Sequence, residues 1–298
     1  MTRLRGTLIA AAAVPLFLLG ACARPVGAGG VADPSSGTPE SAPASAPGGN
    51  ALVLRVETFG GFVAPDRVIG RIPQVSVYGD GRVITEGPLP AIYPGPALPN
   101  VQVQVVSVEL VQEMVREGLA AGVRSGTDYG RPGVADAPTT RVTVVTAGGT
   151  QSVTAEALNE SQSTDPRLTA AQRQARAKLA GFVRKLSDLP AAEGMPPSVQ
   201  YDPESVAVLA RPWAAQDTSG PASPAKAFAG PALPGSYLNP SFKIGCVVAT
   251  GAAKAKIMAA AKDATAITPW TQGSTKYLIA FRPLLPDETS CAALKTAA

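Results

Sequence analysis

The sequence predicts an α+β fold: antiparallel β-hairpins packed with helices, in two small domains, the second tied by a disulfide. Three observations lead there. Apolar alternation on both sides of glycine turns marks hairpins, two stretches with capping residues repeat apolar positions at helical spacing, and past residue 22 only Cys246 and Cys291 remain as cysteines. Roughly 250 residues follow the low-complexity start, more than one core commonly organises, so domains are expected at 51–195 and 196–298.

Taken in order, "ALVLRVETFGGF" reads as a strand, and "PQVSVYGDGRVITEG" as a hairpin with Val75 and Val77 before, and Val83 and Thr85 after, a Gly79-Asp80-Gly81 turn. The Pro-rich loop "PLPAIYPGPALPN" follows. In "SVELVQEMVREGLAAG" Ser107 caps a helix, Val108, Val111, Val115 and Leu119 form its predicted inner stripe, and Gly122 ends it. A second hairpin, "RVTVVTAGGTQSVTAEAL", turns at Gly148-Gly149, and the helix "TAAQRQARAKLAGFVRKLSDL" opens on a Thr169 to Gln172 capping box and stops before Pro190. In the second domain "SVQYDPESVAVLARPW" reads as one strand ending at Pro212-Trp213, and a long Pro/Gly/Ala loop separates it from "FKIGCVVAT". That strand, an Ala-rich helix with Ile257, Ala260 and Ala264 inward, and the returning strand "TKYLIAFRPLLP" make a β-α-β element.

The start of the chain carries an address. Arg3 and Arg5 precede the apolar run "GTLIAAAAVPLFLLGA", which is short for a membrane span and reads as a signal peptide over 1–21. Leu19, Gly20, Ala21 and Cys22 in that order look like a bacterial lipobox, in which Cys22 is acylated and becomes the mature N-terminus. Two acyl chains hold a protein on a bilayer where one does so only marginally. Residues 22–50, mostly Gly, Pro, Ala and Ser, read as a disordered tether. The expected localisation is therefore the cell membrane, lipid-anchored, on its extracytoplasmic face. Loss of residues 1–21 removes two basic residues and no acidic one, taking the formal charge from +4 to +2, which is no nucleic-acid footprint. In an oxidising compartment Cys246 and Cys291 are expected to pair as a staple worth on the order of 4 kcal/mol. Two buried free thiols are the alternative.

Chemistry is bounded by absence. The chain has no histidine, which removes Ser-His-Asp and Cys-His machinery and ordinary catalytic zinc sites. There is no Walker loop, no Gly-x-Gly-x-x-Gly and no metal-binding cysteine pattern, so no cofactor and no metal are expected. "SPAK", Ser223 to Lys226, matches Ser-x-x-Lys without the companion motifs. Asp287 with Glu288, and Asp202 with Glu204, are nominal carboxylate pairs for a glycosidase, although a surface or capping role suits sequence neighbours better. Asp80 between two glycines suits a tight turn rather than calcium. Arg173, Arg176, Lys178, Arg184 and Lys185 read as a solvated basic face, with anionic headgroups or wall polymers as the alternative. Tyr78, Tyr93, Trp213, Trp270 and Tyr277 read as core aromatics before they read as a groove.

The strings "YGDGRV", "YPGPALP" and "TDYGRPGVADAPTTRVTV", then "GCVVATG", "ITPW" and "FRPLLPDETSC", are similar to a family of uncharacterised cell-envelope lipoproteins of actinobacteria, over most of the mature chain. The first unit also resembles a small domain of other secreted bacterial proteins. These resemblances imply fold and address and supply no catalytic residue. The favoured function is a non-catalytic binding or interaction module at the envelope, with an envelope protein, a lipid or a wall polymer as partner. The alternative is a carboxylate-dependent hydrolase acting on envelope glycan or peptide. An apolar cavity for a lipid is compatible with the same address.

Overall fold

The computed structural model describes residues 48–214 and 223–297, so the leader, Cys22 and nearly all of the tether lie outside the described residues. Seven antiparallel strands build the first sheet: β1 (Leu52–Gly60), β2 (Val75–Tyr78), β3 (Arg82–Glu86), β4 (Val101–Val105), β5 (Pro138–Thr146), β6 (Gly149–Glu156) and β7 (Val199–Gln200), in spatial order β6-β5-β1-β2-β3-β4-β7. Both predicted hairpins are present as β2-β3 and β5-β6. Gly81 is required at the first turn, because its φ is +89° and a Cβ there would collide with the carbonyl of Val106.

Two helices cover one face of this sheet. In α2 (Val108–Ala120) the Ser107 hydroxyl accepts from Leu110 N at 3.2 Å, and α3 (Ala170–Asp188) opens on the full Thr169–Gln172 capping box. Val111 and Met114 of α2 meet Leu179, Phe182, Val183 and Leu186 of α3 over Leu54, Val56 and Val144 of the sheet. Of the predicted stripe, Val111 is buried and Val115 and Leu119 pack against the core, while Val108 does not. Val108 is exposed, Val115 and Leu119 are half-buried, and Gly118 is buried. A Cβ on Gly118 would lie 3.0 Å from Val144 and 3.1 Å from Phe182, so α2 packs tightly on the sheet and on α3 at this glycine.

The second sheet holds β8 (Ser205–Pro212), β9 (Lys226–Ala227), β10 (Ser236–Asn239), β11 (Ile244–Thr250), β12 (Pro269–Gln272) and β13 (Thr275–Pro283), in order β10-β11-β8-β13-β12-β9. All its pairs are antiparallel except β9 with β12. The predicted β-α-β unit is present with a strand inserted: β11 and β13, joined through α4 (Gly251–Lys262), both pair antiparallel with β8 and so run parallel to each other on either side of it. In α4 Ile257 and Ala261 are the buried residues and Ala260 is half-buried. β8 is buried on both faces. Val206, Val208 and Ala210 face α4, while Ala207 and Leu209 join Ile69, Cys246, Leu284 and Leu294 on the other side. This is why "SVAVLA" reads as a continuous apolar run.

Several elements depart from the reading above. The single strand expected over 198–213 is two, β7 in the first sheet and β8 in the second, because Tyr201–Glu204 carries the chain across. The alternating "VQVQV" is β4, "PDRVI" is the short helix α1 (Pro65–Ile69), and the long loop contributes β9 and β10 to opposite edges of the second sheet. The Cys246–Cys291 disulfide is present and ties the 3₁₀ segment Cys291–Ala297 to β11. The described residues cluster as one compact unit.

Candidate functional site

The predicted carboxylates lie mostly at the seam between the sheets. Arg55 lies between Leu54 and Val56 on β1 and, by the alternation of a strand, reaches the face away from the helices. There its Nε donates to Ser76 Oγ at 3.1 Å and its Nη2 to Asp287 Oδ1 at 2.8 Å. Tyr78 donates to the same Asp287 oxygen at 2.7 Å. Burial pushes the Tyr78 hydroxyl well above its ordinary range, and the Asp287 charge adds to this against the pull of Arg55. Desolvation also works to raise the Asp287 carboxyl, but the Arg55 charge and the Arg55 and Tyr78 hydrogen bonds outweigh it and hold it below the usual range.

Glu288 turns the other way. Its Oε1 accepts from Arg282 Nη2 at 2.9 Å and its Oε2 from Leu285 N at 2.8 Å, with side-chain exposures of 2% for Arg282 and 8% for Glu288. Arg282 also donates to the carbonyls of Arg71 and Pro283. Asp287 is exposed and Glu288 caps Leu285 N, as a surface or capping role requires, and each carboxylate is committed to its own arginine. A group whose folded pKa is depressed adds stability above its unfolded pKa and loses it as pH falls through the folded value. Urea midpoints of the parent should therefore drop as pH falls through and below the ordinary carboxylate range, and Asp287→Asn should flatten that drop; equal acid sensitivity in both proteins would show that the Arg55 contact contributes nothing.

Asp202 and Glu204 line a cleft of about 490 Å³ with Arg82, Tyr201, Thr250 and Glu288. Asp202 is 90% exposed and paired with Lys254 at 3.0 Å. Tyr201 donates to Leu284 O at 3.0 Å, and its hydroxyl is pushed up to about 12, chiefly by burial. The Ser-x-x-Lys pair is not assembled: Ser223 Oγ bonds Thr268 Oγ1 at 3.1 Å, and Lys226 Nζ donates to Ala260 O near the end of α4. Asp80 bonds Arg82 through backbone and side chain and shapes its turn. Among the described residues no cluster of three His, Cys, Asp or Glu side chains could hold a metal.

On the basic helix Lys178, Arg184 and Lys185 are exposed as a solvated face requires, and Arg176 is the correction. Arg176 is 4% exposed and donates to the carbonyls of Tyr129, Glu156 and Ala157 and to Ser161 Oγ, so it is a structural clasp and no solvated charge. Its Nε is buried with no hydrogen-bond partner among the described residues. Arg173 donates to the carbonyls of Asp165 and Leu168. With Arg184, both line a cleft of about 480 Å³ between α3 and the loop after β6, whose polar wall is Asn159, Ser161, Gln162 and Ser163. Arg184 is exposed and has no hydrogen bond or ion pair among the described residues. Three acids, Asp165, Glu156 and Glu160, act on Arg176 from nearby. Lys185 pairs with Glu117, and Lys178 is exposed.

The aromatics divide. Trp270 packs edge-on with Phe281 and Phe228, Tyr78 and Tyr277 are buried, Trp213 lies under Lys276, and Tyr93 is 66% exposed. Sequence reasoning missed Arg55 and Arg282. The available signal was a lone arginine inside each of the apolar runs "LVLRVE" and "AFRPLL", where only a buried partner makes the residue tolerable. Compared with known proteins, the chain matches no family model, no curated protein and no solved structure.

Proposed function

We propose that this chain is an extracytoplasmic lipoprotein, held on the membrane through Cys22, whose folded part binds an anionic envelope component without catalysis. The supporting observation is the cleft beside α3, where Arg173, Arg176 and Arg184 face a wall of amide and hydroxyl side chains. Arginine is the residue suited to phosphate and carboxylate groups, because its planar fork offers several donors at once. Arg173 and Arg184 lie about 16 Å apart along the helix, so the cleft suits an extended ligand bearing more than one anionic group. Arg176 braces the loop that forms the opposite wall.

Two measurements test the two halves of this reading. Titrating inorganic phosphate and then glycerol phosphate into the protein, followed by the Nε–H resonances of Arg173 and Arg184, should move both signals, and Arg184→Ala should weaken binding by about fivefold; silent resonances would end the anion reading. Acyl labelling in a bacterial host should place lipid on Cys22 and none on Cys22→Ala, and an unlabelled parent would remove the anchor. A hydrolase remains the second reading on one observation, the cleft that Asp202, Glu204 and Glu288 all line. It requires Glu204→Gln to abolish release of reducing ends or amines from isolated envelope material, whereas the binding reading expects no release from the parent.

A further inference from the structure

Exposed apolar side chains on this molecule are concentrated at one end. Of the ten large apolar residues that stand out as exposed among the described residues, Phe62, Val63, Leu89, Ile92, Tyr93 and Phe242 sit on three loops, with Phe62 at 92% and Phe242 at 57% exposure. The topology explains the grouping. β1 ends at Gly60 and β3 at Glu86, and since both pair antiparallel with β2, the loops that follow leave the first sheet at the same end of the strands. Val63 then lines two adjoining clefts, one shared with Leu89 and Leu98 and the other, about 410 Å³, with Leu238 and Phe242.

Among the exposed charged residues named at this end, cations outnumber acids three to two. Arg67, Lys243 and Lys295 are exposed, Arg67 lining one cleft, Lys295 the other, and Lys243 following Phe242. Glu86 is the acid among the described residues that line the two clefts, and Asp136, whose carbonyl accepts from Phe62 N, is exposed at the same end. Aromatic residues at loop tips with cations behind them are what an interfacial contact with a negatively charged membrane requires: rings enter the headgroup and acyl boundary while the cations stay with the phosphates. A flat apolar sheet face would suit a protein partner better.

We propose that the end of the molecule formed by the loops after β1, β3 and β10 seats on an anionic lipid bilayer, with Phe62 and Phe242 as the inserted side chains. The contact is separate from the Cys22 anchor and from the arginine cleft. It is also compatible with the anchor: the chain joins β1 at the opposite end, about 30 Å away along the strand, and residues 22–50 reach at most about 100 Å when extended.

The test is co-sedimentation of the chain from residue 22, carrying Cys22→Ser so that no acyl group contributes, with vesicles of phosphatidylglycerol and phosphatidylcholine. The parent should sediment with these, fall away on pure phosphatidylcholine, and weaken when salt rises from about 50 to about 500 mM. Phe62→Ser with Phe242→Ser should lose about tenfold in binding. Val105→Ser with Val199→Ser, which removes as many exposed apolar residues away from this end, should bind like the parent. Circular dichroism and an intact disulfide confirm that both variants fold. A parent that ignores vesicles, equal loss in the two double variants, or a concentration-dependent dimer dissolved by the phenylalanine variant would each overturn the proposal, the last assigning the surface to a second copy.

Discussion

Glu288→Ala is expected to cost about 4 kcal/mol of stability, on the order of 10 °C in Tm. The size follows from what the substitution leaves behind. Arg282 is 2% exposed, and its partner carboxylate also accepts from Leu285 N, so removing it strands a full positive charge and a backbone donor together. Glu288→Gln should cost less, because its carboxamide oxygen still accepts one of the two hydrogen bonds. The double variant Arg282→Met with Glu288→Leu should recover much of the loss, since a buried pair exchanged for apolar side chains of similar volume is commonly near neutral. Recovery stays incomplete because Arg282 also donates to Arg71 O across the seam. Thermal and urea unfolding of the four proteins checks this; a Glu288→Ala protein within about 1 kcal/mol of the parent would show that water reaches the arginine and that the seam is looser than its geometry.

Cys246→Ser with Cys291→Ser is expected to cost a similar amount, about 4 kcal/mol in the chain-entropy model, for a bridge spanning 45 positions. The damage should also have a location. Leu294 is 1% exposed and packs with Ile244, Leu209 and Ile69, so releasing Cys291 loosens the cover over one face of the second sheet. Amide hydrogen exchange should rise first in the 3₁₀ segment and β10, while β5 and β6 of the first sheet keep their protection until global unfolding. Uniform loss of protection would mean that the two sheets unfold as one cooperative unit.

Local signals were legible wherever a residue type acts on its immediate neighbours. The Gly79–Gly81 turn, the Ser107 and Thr169 caps and the two-cysteine arithmetic each depend on a few adjacent atoms, and each appears in the structure as expected. β4 was equally legible, since "VQVQV" alternates cleanly, but a Pro-rich neighbourhood masked it. The break between β7 and β8 was not. Nothing in "SVQYDPESVAV" distinguishes a strand interrupted by a proline from a chain crossing between sheets, because the difference lies in which distant strands supply the hydrogen bonds: β4 for one half, β11 and β13 for the other.

The same division holds for the sites. Sequence alone determined that the chain has no histidine, no Walker loop, no Gly-x-Gly-x-x-Gly and no metal-binding cysteine pattern, because such patterns are visible in one dimension. It also determined the class of the fold, through turn, cap and alternation patterns that are local by nature. Only the tertiary structure decided which charges are free to act. Arg176 and Arg184 lie two turns apart on one helix, yet the first is spent on three carbonyls from two other segments, and the second is exposed at a cleft. Asp287 and Glu288 are neighbours in the chain and turn to different arginines, one in each sheet. The physical reason is that solvation and hydrogen-bond satisfaction are set by whatever packs against a side chain, and in an α+β fold those partners come from positions far away in sequence.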